Sequence, residues 1–358
     1  MATTDYGVGH PLARKAWSRK LYADVVGKGF YGKFLGRSDT SLFQIKEDLS
    51  KDKGDQITFG LRALPTGAGI QGDATLEGNE EALTTYSDAI LINQLRHAFR
   101  SGGKMSEQRV PFSVREELRG AAEDWWFERL ETSCANQLAG YSDQSDTRYT
   151  GNQVATEPST VSGTTRLIVG GGHGTEASLS ATTTHAIKLA DLDTAAAIAK
   201  TQTPRIRPIR VDGKAMYVCF LHPYQIRQLR LDASTAGNFF DVQKAQLQGG
   251  KISDNPILTG AEFIYNGTIV HEWPYLPVVN STVSASTSYR RGVFCGAQAL
   301  AIAVGGGGSA TQMDWEEELF DYGNQLGVSA GMIFGVKKTR FNSSDFATIV
   351  MSGYAPVP

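Results

Sequence analysis

Two glycine-rich stretches have the residue types and spacing to do chemistry. Gly67-Ala68-Gly69-Ile70-Gln71-Gly72 matches G-x-G-x-x-G after a run of alternating apolar and polar residues. That spacing cradles a pyrophosphate only when a helix begins inside it, so that its first amides face the phosphates. The residues that follow, Asp73-Ala74-Thr75-Leu76-Glu77-Gly78-Asn79, put Gly78 where the helix would be running. A hairpin tip is the better reading, and a nucleotide-binding enzyme using residues 67–72 is the outsider. Gly327-Val328-Ser329-Ala330-Gly331 matches G-x-S-x-G. A nucleophile elbow needs a strand, a sharp turn and then a helix. Here Met332-Ile333-Phe334-Gly335-Val336 reads as strand, and no histidine follows His271.

The remaining reactive residue types are scattered. His97, His173, His185, His222 and His271 have no metal-ligand spacing, and His271-Glu272 are adjacent. The acidic groups Glu316-Glu317-Glu318 and Glu77, Glu80, Glu81 fit a solvated face, or contact with a neighbour's lysines, better than a cation site. Cys134, Cys219 and Cys295 are isolated, which predicts buried thiols acting as small hydrophobes. Trp125 and Trp126 read as core and interface fillers. No catalytic residue, cofactor or metal ligand is expected.

Composition narrows the classes further. The chain has 358 residues, 41% hydrophobic and 20% charged, enough for two or three packed regions. No stretch approaches the ~20 consecutive apolar residues of a membrane span. The start, Met1-Ala2-Thr3-Thr4-Asp5-Tyr6-Gly7, lacks a basic-then-apolar signal, so the chain is expected to be made and kept in a cytoplasm. A net charge of -2 argues against capture of nucleic acid by charge alone. The basic bias is read at the N-terminus alone, in Arg14, Lys15, Arg19, Lys20, Lys28, Lys33 and Arg37, interrupted by aspartates. It suits a partner-facing arm.

The elements that would position these residues are an arm and a long helix. Gln56-Ile57-Thr58-Phe59-Gly60-Leu61-Arg62-Ala63-Leu64 alternates with the period of a half-buried strand. Turn formers reverse the chain at 65–72, and an apolar-rich stretch over 83–99 leads back. Two strands alone are marginal in water, so the arm is expected to lie on another copy of the same chain. Ile57, Phe59 and Leu61 are then expected to be only partly buried within their own subunit. Ser113-Val114-Arg115-Glu116 spells a capping box after Pro111. Val114, Leu118, Ala122, Trp126, Leu130, Cys134 and Leu138 recur every four residues. Each step overshoots a turn by about 40°, so the stripe winds around a helix of ~40 Å that ends at Gly140.

Residues 1–54 read as an extended arm that orders on a surface, their aromatics Phe30, Tyr31 and Phe34 set between glycines. Residues 141–186, rich in Ser, Thr and Gly, read as a surface insertion with a short strand at 166–169. Helices are expected at 189–200, after His222, and at 239–247. Strands are expected at 215–221, at 261–265 and 268–273 around Asn266-Gly267, and through most of 292–354.

This order of elements resembles the major capsid proteins of tailed double-stranded-DNA bacteriophages, an α+β architecture known as the Hong Kong 97-like fold. Gly54-Asp55-Gln56-Ile57-Thr58-Phe59, Leu76-Glu77-Gly78-Asn79-Glu80-Glu81, Gln94-Leu95-Arg96-His97-Ala98 and Phe320-Asp321-Tyr322-Gly323-Asn324 carry the likeness. So does Gly335-Val336-Lys337-Lys338-Thr339-Arg340-Phe341 followed by Asp345-Phe346. Their co-occurrence in order is the signal.

The resemblance implies an N-terminal arm (1–54), an E-loop hairpin (55–103), a peripheral domain with the spine helix (104–205), an axial domain (206–290) and a return to the peripheral domain (291–358). Intersubunit contacts would fall on Ile57, Phe59, Leu61, Arg62, Asp73, Glu77, Glu80 and Glu81 of the E-loop, and on Arg14, Lys15, Phe30 and Tyr31 of the arm. Leu118, Trp126, Leu130 and Leu138 would form the core of the spine. The implied partners are other copies in hexamers and pentamers, portal, scaffolding and decoration proteins, and weakly held, non-specific double-stranded DNA, with no membrane. The implied place is the virion, after assembly in a host cytoplasm. The family's Lys–Asn cross-link is not carried over, because 65–79 contains no lysine. An encapsulin-like nanocompartment shell is the alternative.

Overall fold

The structure, a computed structural model, describes residues 21–46, 54–231, 261–280, 288–305 and 313–358, apart from 23, 63, 64, 66, 74, 162, 163, 173 and 212. Two mixed sheets flank one long helix. In the six-stranded sheet, Leu35–Gly36, Phe43–Lys46, Leu300–Val304, Gln325–Lys338 and Asp314–Phe320 lie side by side, and Asn93–Arg100 also pairs with Gln325–Lys338. In the seven-stranded sheet the order is Leu167–Val169, Thr348–Tyr354, Tyr289–Cys295, Lys214–Leu221, Thr268–Glu272, Phe263–Tyr265, with Ile209–Val211 added on Lys214–Leu221. Its central strands are nearly continuous apolar runs because both faces are covered; Val218, Phe220, Val293, Phe294 and Ile349 are fully buried. The domain boundary expected at 290 falls inside Tyr289–Cys295.

The spine helix runs Val114–Ala139. Ser113 caps its start, its hydroxyl accepting from the Glu116 amide at 3.5 Å. Gly140 ends it in the left-handed region at φ 64°, and Tyr141 N donates back to Asn136 O at 3.0 Å. A side chain at 140 would stand 2.6 Å from Thr156 O, so glycine meets both the turn and the close approach. Leu118 is half-buried, whereas Trp126, Leu130 and Leu138 are buried. The helix does more than wind its stripe: every residue from 133 to 139 is buried. Gln137 Nε2 donates to Thr150 O and Gln153 O at 2.6 Å each, satisfying a polar group that enclosure would otherwise strand.

Two expectations are corrected by burial. Residues 141–186 are only in part a surface stretch: 180–184 are exposed and the short strand expected at 166–169 forms at Leu167–Val169, but other parts enter the core. Leu167–Val169 runs parallel to Thr348–Tyr354 inside the seven-stranded sheet, and Arg166 is 0% exposed. Glu157 and Glu176 from this stretch both pair with the buried Arg291, at 2.8 and 2.6 Å. Glu157 and Glu176 thus answer a buried charge, which composition alone does not distinguish from a solvated loop.

The described part of the N-terminal stretch likewise contributes to the core, through Leu21, Val25, Tyr31, Phe34, Leu42 and Phe43. Backbone at 24–28 is helical and Phe30–Phe34 is a 3-10 turn. Tyr31 is 2% exposed, and Phe30 packs edge-on to Phe220 and His271 at 5.8 and 5.6 Å. Tyr31 is thus enclosed by its own subunit, and half-buried Phe30 packs against the same core. Arg14 and Lys15 lie outside the described residues, as does the helix expected at 239–247. The helices Leu189–Thr201 and Pro223–Leu231 and the hairpin at Asn266-Gly267, with φ 45° and 72°, form as expected.

Candidate functional site: the hairpin arm and its supports

Gln56–Arg62 and Thr85–Leu91 form an antiparallel ladder of their own, from Gln56 opposite Leu91 to Arg62 opposite Thr85. The base of this hairpin is anchored. Ile57 and Ile90, 3% and 0% exposed, pack with Ala301 and Ala303 of the six-stranded sheet. Burial of Ile57 corrects the expectation that it waits for a partner; Phe59 and Leu61 are half-buried, as expected. Phe59 meets Phe341 edge-on at 5.8 Å and lies under Lys46 Nζ at 5.4 Å. Asp88 accepts from Lys337 Nζ at 2.5 Å and from the Arg340 amide at 3.0 Å. Lys337 also donates to Ala89 O at 2.8 Å. The pairing of Asp88 with Lys337 and Arg340 escaped the sequence reading, because they are neighbours only in space.

Beyond Arg62 the support ends. Every described residue from 65 to 84 is exposed, including Ile70 at 37% and Leu76 and Leu83 at 63%. The loop holds its shape through its own carboxylates. The Gly67 amide donates to Glu81 Oε2 at 2.9 Å and the Gly78 amide to Glu80 Oε2 at 2.8 Å. Arg62, Asp73 and Glu77 are exposed too. No helix starts in 67–72, so the phosphate-cradle geometry is not formed. Ser329 sits within the strand Gln325–Lys338, away from any elbow. Among the described residues, no cluster of three His, Cys, Asp or Glu has the geometry to hold a metal ion, and no helix is long and apolar enough to cross a membrane. Cys134, Cys219 and Cys295 are buried. Trp126 is core, while half-buried Trp125 stacks on His97 at 4.5 Å.

One buried acid ties the spine to the N-terminal segment and to the seven-stranded sheet. Glu131, 0% exposed, accepts from the Tyr31 amide at 3.1 Å and from Trp273 Nε1 at 2.7 Å. It thereby joins the N-terminal segment, the spine and the turn after Thr268–Glu272. Burial raises its pKa from 4.5 to about 7, against the lowering effect of the hydrogen bonds from Tyr31, Trp273 and Phe30. A carboxyl that binds its proton more tightly when folded makes stability fall as pH rises from 4.5 through about 7, with a full cost of about 3 kcal/mol above that window. Glu131→Gln is expected to flatten the melting temperature across this range. A slope that persists in the variant would assign it to other groups.

Comparison with known proteins covers the whole chain. The family model described as phage capsid protein matches residues 5–357. The major capsid protein of Pseudomonas phage KPP25 is 28% identical over 94% of this chain and 93% of its own length. The capsid of Ralstonia phage GP4 superposes with TM-score 0.79 at 30% identity, over 100% of this chain and 99% of that one. The capsid of cyanophage Pam1 shares the fold at TM-score 0.73 and 21% identity, over 99% and 100% of the two chains. The α+β fold is Hong Kong 97-like. An anchored hairpin with an uncovered tip, a capped spine and a family match over almost every residue converge: the chain belongs to the phage capsid protein family.

Proposed function

We propose that copies of this chain assemble through hexamers and pentamers into an icosahedral shell around a phage double-stranded-DNA genome. The observation that carries this reading is the contrast along the hairpin. Its base is packed and bonded into its own subunit, while its tip exposes Leu76 and Leu83 without cover. Main-chain and apolar groups left in this state are satisfied when a second surface is added, as in strand addition. Arg62, Asp73, Glu77, Glu80 and Glu81 make the docking contacts, with Phe59 and Leu61 completing burial at the boundary. The spine helix with residues 104–205 and 291–358 acts as the peripheral domain, and residues 206–290, with the strand Lys214–Leu221 and the helix Pro223–Leu231, as the axial domain. DNA is held weakly and without sequence preference, consistent with a net charge of -2. Portal, scaffolding and decoration proteins are the further partners, and assembly takes place in the host cytoplasm. Electron microscopy of the chain expressed alone and with its genomic neighbours is expected to give closed, uniform particles. Only monomers or amorphous aggregates under both conditions would contradict it.

A further inference from the structure

An arm that is completed on a second copy needs a seat, and one segment has the charge to supply it. Residues 200–214 carry Lys200, Arg205, Arg207, Arg210 and Lys214 against a single acid, Asp212. The basic bias of this chain is therefore not confined to its N-terminus. All five cations are exposed, whereas Ile206, Ile209 and Val211 between them are 2%, 3% and 2% exposed. The apolar members pin the segment down. Ile206 N donates to Ala199 O at 2.9 Å, Ala297 N donates to Arg207 O at 2.8 Å, and Ile209–Val211 pairs with 214–216. Arg210 stands on the strand Ile209–Val211, which is bonded on one edge among the described residues, while Arg205 and Arg207 stand on the irregular backbone that leads into it. Arg207 lies 3.7 Å from Asp39 and stays half exposed. Lys200, Arg205, Arg210 and Lys214 have no ion pair among the described residues.

The arm tip is the complement. Between 65 and 84 it carries Asp73, Glu77, Glu80 and Glu81 and no lysine or arginine. The hairpin base is fixed beside Ala301 and Phe341, so the tip points away from its own subunit's support. We propose that the row Arg205, Arg207, Arg210, flanked by Lys200 and Lys214, is the seat on which the acidic arm tip of a second copy docks. This rests on the reading of the arm as an intersubunit clasp. Every copy carries one tip and one row, so the contact is head-to-tail and propagates around a closed ring. Charge complementarity sets its register and suppresses misplaced encounters. Packaged DNA is the competing occupant, but it would leave Asp73, Glu77 and the exposed leucines without a matched surface.

The test is charge exchange. R205E/R207E/R210E and, separately, D73K/E77K/E80K are each expected to raise the concentration for half-maximal assembly by about tenfold or more. The combined variant is expected to return to within about threefold of the unaltered chain. Glu81 is left in place because it holds the Gly67 turn. Circular dichroism checks folding, and the milder R205Q/R207Q/R210Q, expected to shift assembly in the same direction, covers a misfolded reversal. Unaltered assembly of the row variants, with or without loss of DNA from the particles, overturns the seat, as does failure of the combined variant to recover. An unaltered chain that forms no particles overturns the shell reading and the seat with it.

Discussion

Replacing residues 63–84 with Asn-Gly is expected to leave a folded subunit that no longer closes into shells. The substitution joins Arg62 to Thr85, already the last pair of the ladder, through the dipeptide suited to a two-residue hairpin turn. Everything that anchors the base is retained: Ile57 and Ile90 against Ala301 and Ala303, and Asp88 under Lys337 and Arg340. The melting temperature of the free subunit is therefore expected to hold, with a stability change within about 1 kcal/mol. Assembly is another matter. Loss of even about 3 kcal/mol per contact raises the required concentration about a hundredfold, and every contact in the shell loses it. Light scattering and electron microscopy read the outcome. Normal particle yield from the shortened chain would remove the arm from the account of assembly.

Arg291→Ala is expected to be the most damaging single substitution for the folded subunit. The side chain is 1% exposed and donates to Ala139 O and Gly140 O at the end of the spine, at 3.3 and 2.7 Å. It also pairs with Glu157 and Glu176, which sit on the Ser/Thr/Gly-rich stretch. Truncation leaves helix carbonyls without a donor and a largely buried Glu176 without its cation. Breaking a buried pair in this way costs about 3–5 kcal/mol, or about 5 °C in melting temperature for a chain this size. The companion R291M/E157Q/E176Q removes the stranded charges and is expected to recover much of the loss. If R291A melts like the unaltered chain, the spine does not depend on this contact.

Much of this architecture is local enough to read in the chain. Ser113, the four-residue apolar repeat and Gly140 define the spine because capping and helix periodicity act over a few residues. Asn266-Gly267 defines its hairpin for the same reason, and the alternation from Gln56 to Arg62 defines the arm strand. What escaped the sequence is long-range. Tyr31 is buried because Glu131, a hundred positions away, accepts its amide, and no local pattern among the glycines signals this. Arg166, Glu157 and Glu176 read as loop residues until Arg291 and the strand Thr348–Tyr354 supply their partners. The arginine row did leave a signal: Arg205, Arg207 and Arg210 alternate with Ile206, Ile209 and Val211 on either side of Pro208, charged residues exposed and apolar ones buried, although only Ile209–Val211 is strand. Of the contacts assigned to the arm, Arg62, Asp73, Glu77, Glu80 and Glu81 are exposed, while Ile57, Phe30 and Tyr31 serve the subunit's own core.

Hydrogen–deuterium exchange of the peptides spanning 65–84, compared between free subunits and assembled particles, tests intersubunit completion of the arm most directly. Fast exchange in the free subunit and strong protection in the particle are the predicted pair, with peptides from 56–62 and 85–91 protected in both. Equal exchange of the tip in the two states, whether fast or slow, would contradict it.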